Sequence, residues 1–136
     1  MAPSSVDVVL LTPHPADVEV MTSAFSRTQV RLHHASTVPQ ALGLLETTQS
    51  LVLVVEDEFS DGDWVQMLDL LAVRHPLVAM VVCSQRADER LWAEVINRGA
   101  FDLVNRPFYG PELIRILETA HSYALNIAGR SLGAAG

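Results

Sequence analysis

A chain of 136 residues, 49% of them hydrophobic, is long enough for one core and too apolar to be disordered. Its net charge of −7 and pI near 5.0 argue against direct nucleic-acid binding, which favours a basic surface. One cysteine, Cys83, excludes an internal disulfide and fits a reducing, cytoplasmic setting; no apolar run approaches the roughly 20 residues of a membrane span, so no membrane partner is expected.

Strand and helix patterns alternate from the start. Val6 to Leu11 is a short, largely β-branched run that meets the breaker Thr12-Pro13-His14-Pro15. Helical spacing follows at Val18, Met21, Thr22 and Phe25 and fades near Arg27. Val30 to His34 reads as a weaker strand. Thr37-Val38-Pro39-Gln40 has capping-box spacing, in which Thr37 accepts from a helix amide and Gln40 reaches back. It opens a helix with the stripe Val38, Ala41, Leu42 and Leu45. Leu51 to Val55 is continuously apolar, as expected of a strand covered on both faces. An acidic loop, Glu56 to Asp63, then leads into a helix from Trp64 to about Arg74.

Leu77 to Cys83 is another buried strand, and Asp88 to Arg98 is a helix with Trp92, Val95 and Ile96 on its core face. Gly99 suits the left-handed position after that helix. Ala100 to Val104 is the fifth strand. Pro111 falls in the first turn of a last helix, whose stripe is Leu113, Ile116, Leu117, Ala120 and Ala124. Five strands, each followed by a helix, imply parallel pairing with right-handed crossovers, hence a three-layer, doubly wound α/β fold of (βα)5 type. One domain is expected over residues 1–128, with 129–136 as a flexible tail.

In such a sheet, function collects where the strands end at their carboxyl side. Those ends are Thr12-Pro13-His14, Glu56-Asp57, Ser84 and Arg106. There is no glycine-rich phosphate loop, no nucleophile elbow and no zinc spacing, and His33 and His34 would face opposite sides of a strand. No catalytic residue and no metal ligand is therefore expected, and Cys83, inside an apolar run, reads as inert.

The run Arg98-Gly99-Ala100-Phe101-Asp102-Leu103-Val104-Asn105-Arg106-Pro107-Phe108 resembles the last third of bacterial response-regulator receiver domains, especially the nitrogen-regulator (NtrC) type. The resemblance covers about residues 6–125 and implies a flavodoxin- or CheY-like fold with a five-stranded parallel sheet. In a working receiver, an aspartate ending the third strand accepts a phosphoryl group from a histidine kinase. Two acids after the first strand hold Mg²⁺, and a hydroxyl after the fourth strand and a lysine after the fifth contact the phosphoryl oxygens. Transfer to a carboxylate rests on positioning and charge neutralisation, so these parts are required together.

Carried onto this chain, the phosphoacceptor position falls on Glu56, with Asp57 as the alternative one residue later. The acid-pair positions fall on Thr12 and Pro13, neither of them a carboxylate. The switch positions are Ser84, Leu103 in place of the usual aromatic, and Arg106 in place of lysine; the chain has no lysine at all. The Arg106–Pro107 bond is expected to be cis, as in receivers. This pattern implies a degenerate receiver, or pseudo-receiver. Its expected role is non-enzymatic signalling by protein–protein interaction, without phosphorylation and without a cofactor. Two alternatives stand beside it: a phosphorelay receiver that uses Asp57 and Mg²⁺, and a small-molecule-binding domain on the same fold. The expected partner is a histidine kinase or an output protein, with a homodimer through the fourth helix, fifth strand and fifth helix as a further possibility.

Overall fold

The computed structural model describes residues 5–59, 61–106 and 108–135. In chain order the elements are β1 (Val6–Leu11), α1 (Pro15–Phe25), β2 (Val30–Ala35), α2 (Val38–Thr48), β3 (Val52–Glu56), β4 (Glu58–Phe59), β5 (Gly62–Asp63), α3 (Trp64–Arg74), β6 (Ala79–Ser84), α4 (Glu89–Asn97), β7 (Asp102–Asn105) and α5 (Gly110–Ala135). The main sheet is parallel, in the order β2-β1-β3-β6-β7. The strand order reverses at β1, so the carboxyl ends of β1 and β3 flank a natural crevice.

Alternation along the strands divides the interior into two halves, because successive side chains point to opposite faces. Val8, Leu10, Val52, Val54, Val81, Cys83 and Val104 pack with Met21 and Phe25 of α1 and with Leu113, Leu117 and Ala120 of α5. Val9, Leu11, Leu53, Val55, Met80 and Val82 pack with Ala41 and Leu45 of α2, Met67 and Leu71 of α3 and Val95 of α4. The result is the three-layer α/β arrangement that the alternating pattern implies.

Local chemistry sets several boundaries. Thr37 caps α2 by accepting from the Gln40 amide at 3.4 Å, while Gln40 reaches back one residue further than a capping box would, to the Ser36 amide. Asp63 and Gln66 form the reciprocal box at the start of α3. The acidic loop is partly ordered as the small antiparallel pair β4–β5, which the sequence pattern does not announce. Gly99 has φ 101°, the left-handed conformation expected of it after α4.

One expectation needs correction here. Trp92 was expected in the core, but it is 51% exposed, and α4 buries Val95 with Leu91 packed beside it. The helix is rotated relative to the Trp92-Val95-Ile96 face, because Leu91 and Val95, one turn apart, fill the space beside the sheet. The helical backbone of α5 continues to Ala135.

Candidate functional site

Parity along the strands decides which side chains meet at the crevice. Thr12, Glu56 and Arg106 continue the α1/α5 face of their strands, the face of Leu10, Val54 and Val104. Ser84 continues the opposite face, that of Met80 and Val82. Glu56 ends β3 opposite Cys83 and is only 2% exposed. Its Oε1 accepts a hydrogen bond from the Thr12 hydroxyl at 3.1 Å, and its Oε2 accepts one from Arg106 Nη1 at 3.3 Å. Glu56 and Arg106 therefore meet directly over the strand ends.

The same guanidinium binds a second carboxylate. Arg106 Nη2 donates to Asp17 Oδ1 at 2.8 Å, and Asp17 Oδ2 lies 2.7 Å from Nη2 as an ionic contact without hydrogen-bond geometry. Asp17 stands in the first turn of α1 and is buried. The sequence pattern placed the α1 stripe on Val18, Met21, Thr22 and Phe25, yet the buried residues are Asp17, Met21 and Phe25. The clue was available: Asp17 falls one helical turn before Met21 and two before Phe25, an acid at the head of a buried row. It went unread because a carboxylate on a core face is disfavoured unless a partner is already known.

Asp57, the alternative phosphoacceptor position, is one residue past Glu56, and a one-residue shift turns a strand residue to the other face. The structure shows the consequence of that turn. Asp57 lies past the end of β3 on the Ser84 side, still lining the crevice, and its Oδ2 accepts from the Ser84 hydroxyl at 2.8 Å. Ser84 thus gives its hydroxyl to Asp57 and not to Glu56. Ser84 Oγ also accepts from the Arg86 amide at 2.9 Å, and the Ser84 carbonyl accepts from the Arg106 amide at 3.0 Å. Leu103 is half-buried against the α2–α4 core. Pro107, expected to follow a cis bond, lies outside the described residues.

Pro13, His14, Glu56, Asp57, Phe59, Gln85, Arg86 and Arg106 line a cleft of about 530 Å³ over these strand ends. Burial, followed by the neighbouring Asp17 carboxylate, pushes the Glu56 carboxyl up to about 7, against a smaller downward pull from Arg106. Burial would lower the Arg106 value, but Asp17 and Glu56 together raise it. Burial, then the nearby Glu56, pushes the Cys83 thiol up, which keeps it a poor nucleophile.

These residues do not fit the divalent cation of a working receiver. Thr12 spends its hydroxyl proton on Glu56, and Arg106 occupies Glu56 Oε2. Pro13 carries no ligating side-chain atom. Among the described residues, no three His, Cys, Asp or Glu side chains converge on one point.

No family model matches the chain, and no curated protein matches it. Solved structures do. A signal receiver domain of an HD domain-containing protein from Pseudomonas fluorescens superposes with a TM-score of 0.82 at 19% identity, over 96% of this chain and 96% of the other. The receiver domain of Francisella response regulator 1452 gives 0.78 at 18% identity, over 87% and 98%. The beryllofluoride-activated NtrC4 receiver-domain dimer gives 0.78 at 16% identity, over 87% and 98%. The fold is that of a response-regulator receiver domain. On that receiver fold, residues at or just past the four strand ends line one cleft, and Asp17 joins the site through its bond with Arg106.

Proposed function

We propose that this chain is a receiver-like signalling module that acts by docking onto a protein partner, without phosphorylation and without catalysing a reaction. The observation that carries this reading is the occupation of Glu56. A buried glutamate held by Thr12 and Arg106 sits where the resemblance places the phosphoacceptor, in a crevice whose other acid-pair positions are a threonine and a proline. A glutamate is one methylene longer than an aspartate, and its planar charge-assisted contact with arginine imitates in part a phosphorylated side chain. The partner class is a histidine kinase or an output protein in the cytoplasm. The partly exposed Trp92 on α4 and Tyr109 just before α5 support a docking face or homodimer contact around α4, β7 and α5. No cofactor is proposed.

A second reading has its own support. Asp57 lines the same cleft, 2.8 Å from the Ser84 hydroxyl, which is the hydroxyl position of a phosphorelay receiver. The deciding experiment is incubation with acetyl phosphate and Mg²⁺, followed by intact-mass measurement. The expected result is an unmodified chain. A stoichiometric phosphate adduct that disappears in Asp57→Asn would replace the docking reading with the phosphorelay one.

A further inference from the structure

Two nearly inaccessible carboxylates, Glu56 and Asp17, share one guanidinium. Arg106 neutralises one of them. The other arginine lining the cleft, Arg86, is exposed and makes no ion pair with either carboxylate among the described residues, and low solvent access makes a second bare charge there costly. Two carboxyl groups in this position resolve the conflict by holding one proton between them. Asp17 Oδ2, in ionic contact with Arg106 but with no hydrogen-bond donor among the described residues, is a ready acceptor for it.

We infer that the site is operated by a proton: protonated Glu56 hydrogen-bonds to Asp17 and leaves Arg106 with Asp17, whereas ionised Glu56 draws Arg106 to itself. This deepens the receiver-like reading and rests on it, since the proton takes the part that a phosphoryl group plays in a working receiver. Glu56 titrates near neutrality, raised by burial and by Asp17, so the two states exchange within the range a cell can reach.

The signal has a physical route outward. The Arg106 amide donates to the Ser84 carbonyl, and Ser84 Oγ ties Asp57 to the Arg86 amide. A shift of Arg106 between Asp17 and Glu56 therefore tugs the loop that joins β6 to α4. The surroundings of Glu56 account for its charge balance from every side. Thr12 on β1 donates to it, and His34 on β2 binds the Thr12 carbonyl. Asp17 and the preceding His14 come from α1, and Cys83 lies opposite on β6. Asp57 follows it in the chain, Arg106 follows β7, and Arg86 lines the cleft. The imidazoles of His14 and His34 must be followed separately from Glu56 in any test.

The test is a pH titration of the full chain followed by NMR, reading the amides of Ser84, Arg86 and Arg106, the Arg106 side-chain resonance and the two imidazoles. In the wild type the three amides and the guanidinium should move with one midpoint near 7. Glu56→Gln should flatten that transition, with the imidazole resonances of His14 and His34 followed alongside as controls. Asp17→Asn should shift the midpoint to lower pH by about one unit, because the like charge and the proton acceptor are both removed. Asp57→Asn should leave the transition in place. A wild type whose loop amides do not respond, or a transition that survives Glu56→Gln, overturns the inference. The two failures are distinguishable: a phosphate adduct sinks the docking reading and is read by mass, whereas loss of the proton switch is read only in the titration.

Discussion

Replacing Glu56 with glutamine should make the protein less sensitive to alkaline pH, by an amount that follows from the site. The folded state holds the Glu56 proton up to about 7, while the unfolded chain releases it near 4.5. Between those values the native state binds more protons than the unfolded one, so stability falls as pH rises through the window. At about 1.4 kcal/mol for each tenfold gap in proton affinity, the full penalty above the window is about 3 kcal/mol. About 2 kcal/mol of it falls between about pH 5.5 and pH 8, where most other carboxylates have finished titrating. Glutamine is nearly isosteric with the protonated acid: its carbonyl accepts from Thr12 or Arg106, and its amide donates to Asp17. Urea unfolding of both proteins across that range isolates the term, because contributions from other groups are common to both. The expected result is a difference that grows in favour of Glu56→Gln by about 2 kcal/mol toward alkaline pH. Parallel stability curves, or a growing advantage for the wild type, would refute the assignment of a shared proton to this site.

Arg106→Ala should cost more than a surface ion pair would. The Arg106 side chain is 15% exposed and faces two buried carboxylates, so its removal should destabilise the fold by about 3 kcal/mol, most severely at high pH, as measured by chemical denaturation. Trp92→Ala should change stability by no more than about 0.5 kcal/mol, because half the side chain is already in solvent, whereas Val95→Ala, on the buried side of the same helix, should cost about 2 kcal/mol. A large loss from Trp92→Ala in the isolated chain would contradict the orientation of α4. Gly99→Ala should cost at least about 1 kcal/mol through backbone strain at φ 101°, since no neighbour lies within 4 Å to clash with an added methyl group; a shift in melting temperature reads it.

Much of this protein was determined by its sequence alone. Continuous apolar runs at Val52–Val55 and Ala79–Cys83 allow only strands covered on both faces, and their alternation with helical stripes leads to a parallel, doubly wound sheet. Strand parity puts Glu56 and Arg106, 50 residues apart, on one face of the sheet and Ser84 on the opposite one. The tertiary structure alone decided what lies between those strand ends. Asp17 enters the site because α1 packs with its Met21 row against the sheet, and the angle and depth of that packing have no local signature. The position of Trp92 was undecidable for the same reason: periodicity defines a stripe, but only contact with β7 selects which edge of the stripe is covered. Burial of the Glu56–Arg106 pair is likewise a property of the assembled layers. A strand-end acid and a strand-end base read as partly exposed until α1 closes over them with a second carboxylate, and that closure turns an ion pair into a proton-binding site.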